Sequence, residues 1–130
     1  MVYLTSFGDE VVRIDPNTGS KETIASRSNT AFDGITFSPD CWMVYVGELR
    51  GKVFQIPIAS DGTPGELEEI VEVDLGFPPG DLDGFTTDVC GNVYGSTLSG
   101  KIWSIASDSK TVELVTDVTE AASPRGRLGV

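Results

Sequence analysis

The chain has 130 residues, with nine Lys and Arg against twenty Asp and Glu and a formal net charge of −11. That length suits one domain with a real core, and the charge argues against nucleic acid and anionic membrane surfaces, which are held by clusters of Lys and Arg. No histidine is present, which excludes Ser-His-Asp and Cys-His nucleophile systems and His-bearing zinc sites and leaves carboxylates, hydroxyls, backbone groups, cations or a bound metal.

Met1 to Thr5 has no basic region and too short an apolar run for a signal peptide, and no stretch approaches membrane-spanning length. A cytoplasmic protein is the default expectation. Val2-Tyr3 opens the first predicted strand. Asp9 to Ile14 gives the second, Asp15-Pro16-Asn17-Thr18-Gly19 supplies turn chemistry, and Lys21 to Ala25 gives the third.

Asp33-Gly34 then starts a fuller unit. A short strand follows, then a turn containing Cys41, then strands at Val44-Tyr45 and at Gly51 to Ile56. Ser60 to Gly65 is the next turn, and Glu68 to Val73 the closing strand. Glu66 to Ile70 admits a helical turn, but Val71-Glu72-Val73 continues it as alternation. Phe77-Pro78-Pro79-Gly80 leads to Asp83-Gly84, which opens a third unit with a turn at Cys90, strands at Val93-Tyr94 and Gly100 to Ile105, a turn at Ser107-Asp108-Ser109 and a strand at Thr111 to Val115.

These are three copies of one pattern. Asp33 and Asp83 stand 50 apart, Val53 and Ile102 49 apart, and the first copy matches the second at an offset of 42. Four short strands recurring at such spacings are the mark of propeller blades. The expected fold is all-β, about three four-stranded propeller blades: blade 1, partial, over 1–31, blade 2 over 32–80, blade 3 over 81–122, and a closing strand over 123–130. The first copy starts at its second strand, whereas Arg125-Gly126 falls at the Asp33-Gly34 position, as an innermost strand without its blade. Two explanations follow: a fragment of a longer propeller, or half of a six-bladed ring completed by homodimerisation, each tail closing the partner's first blade.

The run Asp-Gly-Ile or Asp-Gly-Phe, then Cys, then Val-Tyr, followed by Gly-Lys-Val-Phe-Gln-Ile or Gly-Lys-Ile-Trp-Ser-Ile, resembles the gluconolactonase/regucalcin-like family of six-bladed propellers. The resemblance covers Val2 to about Val115, and strictosidine-synthase-like and NHL-repeat propellers share parts of it. It implies a divalent cation, often calcium, at the mouth of the central channel, held by a Glu from an early blade, an Asn of an Asn-Gly turn and an Asp of an Asp-Gly turn. Asp83 stands at the Asp position and Asp33 at the Asn position; the Glu has no counterpart.

Carboxylates at the starts of innermost strands also suit a hard cation on their own chemistry. In lactone or ester hydrolysis Asp83 would be metal ligand and general base, with Asp33 a second ligand. The plainer reading is that Asp-Gly turns the chain before a strand. Arg125 would join the channel mouth, to neutralise the carboxylates or orient an anionic small-molecule ligand. The alternative to a hydrolase is a non-catalytic module or relic that binds a small ligand or a protein partner. Among the remaining residues, Val12, Phe54 and Trp103 share one repeat position and are expected to pack between blades. Trp42 is expected to be exposed, and Cys41 and Cys90 to be small buried spacers at equivalent turns.

Overall fold

The computed structural model describes residues 1–6, 8–73, 82–108 and 111–117. Every regular element among them is a strand: β1 (Val2–Thr5), β2 (Glu10–Ile14), β3 (Lys21–Ser26), β4 (Phe32–Phe37), β5 (Met43–Glu48), β6 (Lys52–Pro57), β7 (Glu68–Glu72), β8 (Leu82–Thr87), β9 (Val93–Thr97), β10 (Lys101–Ile105) and β11 (Val112–Asp117). No helix among them is long and apolar enough to cross a membrane.

The strands form three antiparallel sheets, ordered β1-β2-β3, β4-β5-β6-β7 and β8-β9-β10-β11. Each is a meander, because short turns rich in Gly, Asp and Asn join consecutive strands. In the first, Gly19 adopts φ +75°, and its N–H closes on the Asp15 carbonyl at 2.8 Å. The first sheet has no strand inside β1 among the described residues.

Alternation along the strands builds two cores, one on each face of the middle sheet. Val44, Val46, Phe54 and Ile56 turn towards the first sheet and bury Val11 and Phe32 with them. Tyr45 and Val53 turn the other way and meet Leu82, Val93 and Ile105 of the third sheet. An edge-on aromatic pair crosses the first interface, Tyr3 with Phe37 at 4.9 Å between ring centres, and Phe32 packs edge-on against Phe54 within the middle sheet at 5.6 Å.

Phe54 and Trp103 pack into these cores as their shared repeat position predicts. Val12 is buried too, but its cross-strand partner is Leu4, on the face turned away from the middle sheet. Trp42 is half exposed, as expected.

The two cysteines are a correction, for both are exposed. Their turns are equivalent but their positions are not. The N–H of Cys41 bonds the Ser38 carbonyl at 2.9 Å, as that of Gly91 bonds Asp88 at 3.1 Å. Cys41 therefore stands at the place of Gly91, with a left-handed φ of +65°, and Cys90 at the place of Asp40. In the second turn Asp88 makes the hydrogen bonds that hold the loop while Cys90 points to solvent. The extra residue that changes the repeat from 50 to 49 is Trp42.

Candidate functional site

The sheets approach one another through β4 and β8, with β1 beside β4. Asp33 and Asp83 lie in these strands, not in turns leading to them. Phe32 pairs with Glu48 and Ile35 with Val46, so Asp33-Gly34 bulges from the ladder. Leu82 pairs with Thr97 and Phe85 with Gly95, so Asp83-Gly84 bulges at the same place. A bulge bends its strand and re-aims the side chains it carries, and it commonly does so beside functional sites.

The two bulges touch. A methyl group on Gly34 would sit 2.1 Å from the Asp83 carbonyl oxygen, an approach that only glycine permits. From the other side, the Thr5 hydroxyl donates to the Asp33 carbonyl. One end of the three-sheet stack thus gathers Thr5, Asp33 and Asp83, with Asp33 half-buried and Asp83 exposed. At the far end the Thr87 hydroxyl donates to the Phe37 carbonyl at 2.7 Å and locks the same pair of strands.

The structure therefore sets the backbones of the two Asp-Gly pairs that the repeat singled out against each other. Arg125 lies outside the described residues, as do the Phe77-Pro78-Pro79-Gly80 loop and the 123–130 segment. Among the described residues, no group of three or more Cys, Asp and Glu side chains is arranged to hold a metal ion. Carboxylate, hydroxyl and carbonyl oxygens are the donor types that a hard cation takes, and calcium takes six to eight of them.

Sequence reasoning passed over Glu48, which is only 3% exposed and pairs across the strands with Phe32, next to the first bulge. A charged residue ending the apolar run Val44-Tyr45-Val46-Gly47 was the available signal. Its carboxylate accepts the Arg50 Nε–H at 2.8 Å and the Arg50 backbone N–H at 3.1 Å, so it holds the β5–β6 turn. Arg50 in turn donates to the Asn29 carbonyl. These residues line a cavity of about 300 Å³ with Arg27, Lys52 and Glu72. Its cations have acidic neighbours: Lys52 and Arg27 lie 3.4 and 3.8 Å from Glu69.

No protein-family model and no curated protein matches the chain. Among solved structures it is similar to a gluconolactonase from Xanthomonas campestris, 24% identical, with a TM-score of 0.61, over 82% of this chain and 33% of that one. It is likewise similar to a calcium-binding protein, regucalcin, from Agrobacterium tumefaciens, 18% identical at TM-score 0.65, over 84% of this chain and 37% of that one. A nidogen–laminin complex is 15% identical at TM-score 0.70, over 88% and 44%. The chain thus spans between a third and a half of the length of these structures. It carries a gluconolactonase/regucalcin-like β-propeller fold.

Proposed function

We propose that the end of the stack bearing the two bulges binds a divalent cation through Asp33 and Asp83, and that the site belongs to a hydrolase of lactones or related esters. The contact between the two Asp-Gly bulges carries this reading, since it holds two carboxylate-bearing segments against each other at one end of the stack. Proteins of similar fold include one described as a gluconolactonase and one as calcium-binding. When bound, the cation would supply Lewis-acid polarisation of a carbonyl. The exposed Asp83 carboxylate would accept a proton from an attacking water, and Asp33 would anchor the ion. A specific observation favours a second reading, a non-catalytic binding module: among the described residues the site offers two carboxylates, fewer than a tight calcium site ordinarily uses.

Calcium added to chelator-treated protein is expected to raise the melting temperature and to give a saturable heat on titration. Asp83→Asn and Asp33→Ala should each weaken both signals by tenfold or more, about 1.4 kcal/mol for each factor of ten. No calcium response in the unaltered chain rejects the metal site. A calcium response without proton release from a gluconolactone substrate, followed at constant pH, leaves the binding module as the function.

A further inference from the structure

The turn that joins β5 to β6 and the turn that joins β9 to β10 have one backbone and two chemistries. Gly51 donates its N–H to the Glu48 carbonyl at 2.8 Å, and Gly100 to the Thr97 carbonyl at 3.0 Å. Thr97 therefore stands in place of Glu48, Ser99 of Arg50 and Lys101 of Lys52. The ends of the closing strands align in the same way. The Arg27 N–H bonds the Asp9 carbonyl and the Val73 N–H that of Gly51, both at 2.8 Å, so Val73 stands in place of Arg27. In the third sheet neutral hydroxyls hold the turn: Thr97 Oγ1 accepts the Lys101 N–H at 3.0 Å and lies 2.8 Å from the Ser99 hydroxyl. The fold needs no acid and no arginine at these positions.

Between the first and middle sheets the chain nevertheless places Arg27, Glu48 and Arg50 there. The Glu48 side chain is 3% exposed, and burying an ionised group is costly even when it is paired. A costly departure from what the fold requires marks a functional position. These residues line the cavity of about 300 Å³ between the β3–β4 connection and the β5–β6 turn, a volume that suits a small ligand. The chain has nine basic residues against twenty acidic ones, and three of the nine, Arg27, Arg50 and Lys52, line this one cavity.

Both arginines keep hydrogen-bonding capacity for a ligand. Arg50 spends Nε on Glu48 at 2.8 Å and Nη2 on the Asn29 carbonyl, and its Nη1 has no hydrogen-bond partner among the described residues. Arg27 lies over the Phe54 ring, 5.1 Å from its centre, and its ion pair with Glu69 spans 3.8 Å, beyond hydrogen-bond distance. Solvent reaches both, for the Arg50 side chain is 69% and the Arg27 side chain 44% exposed. A guanidinium so placed matches the planar fork of a carboxylate. Glu48, Glu69 and Glu72 already offset the three cations, so a singly charged anion is favoured over a doubly charged one. Ser28 and Asn29 line the same cavity and add a hydroxyl and an amide. We infer that this cavity binds a small hydroxylated monocarboxylate, its carboxylate held by Arg27 and Arg50. This inference stands apart from the metal site.

The test is a titration of the nitrogen-15-labelled chain with glycerate, at fixed ionic strength and with no divalent ion added, followed by NMR of the backbone amides and the arginine Nε–H groups. The expected result is a saturable shift confined to Arg27, Ser28, Asn29 and to the β5–β6 turn. Sulfate, a dianion, and glycerol, which lacks the carboxylate, should each bind at least about tenfold more weakly. Arg27→Gln should weaken glycerate binding by about tenfold. Glu48→Thr combined with Arg50→Ser should do the same while keeping the chain folded, because it installs the pair that the third sheet already uses at this turn. No saturable shift at millimolar glycerate overturns the inference, as does an equal response to sulfate or glycerol, or an affinity that either variant leaves unchanged. None of these readings involves calcium, so the metal site stands or falls separately.

Discussion

Asp88 shows how a single side chain holds a turn in this fold. Its carboxylate accepts the Asn92 side-chain N–H at 2.9 Å, the Asn92 and Cys90 backbone N–H groups at 3.0 and 2.9 Å, and the Tyr94 hydroxyl at 3.0 Å. The Asn92 side-chain bond is the largest cause holding the carboxyl below its ordinary value near 3.8; the Asn92, Tyr94 and Cys90 bonds add to it, against the opposing effect of burial. A depressed folded-state pKa gives stability that is present above the unfolded value and lost as pH falls through the folded one. The turn should therefore weaken below about pH 4, where free carboxylates take up protons. Asp88→Asn should lower the melting temperature at pH 7 and flatten its fall between pH 4 and 2. An unchanged acid slope would show that other carboxylates govern acid unfolding. The group is exposed to screening, so the effect is a shape in the pH curve and not a large energy.

At the scale of the element, Phe85 is the piece that joins two sheets. Its ring fills the space left by Gly34 and Gly47 across the interface and by Gly95 on its own sheet. Phe85→Ala removes the knob and leaves three glycines lining a hole, at a cost of about 3 kcal/mol, the low end for a phenylalanine because the ring is half-buried. Urea unfolding followed by tryptophan fluorescence would read it, since Trp103 packs against the same core. A loss below 1 kcal/mol would mean that the sheets slide together to close the gap. The strands themselves were legible, because runs of Val, Ile, Phe and Tyr alternate between turn residues. The adjacency of Asp33 and Asp83 was legible too, since a repeat brings like positions side by side. What escaped was local. An Asp-Gly pair looks the same in a turn and in a bulge, and only the pairing of Phe32 with Glu48 and Ile35 with Val46 tells them apart. Cys41 and Cys90 align by letter, but the turn hydrogen bonds align Cys41 with Gly91.

For the whole molecule, the decisive fact is that the middle sheet meets a neighbouring sheet on each of its two faces, whereas among the described residues each of the other two sheets meets one. Each hydrophobic cluster joins neighbouring sheets, Val11 and Phe32 with Phe54 on one side and Val53 with Leu82 and Ile105 on the other. Stability in such a stack is close to a sum of nearest-neighbour terms, and opening proceeds from the sheets that have fewest neighbours. Amide hydrogen exchange should therefore be slowest in β4 to β6 and faster in β2 and β10, with β3 and β11, the outer edges, fastest. Equal protection across all three sheets at low concentration would show instead that the stack opens as one cooperative unit. The two outcomes separate a fold that is stable sheet by sheet from one whose sheets have no stability apart from their neighbours.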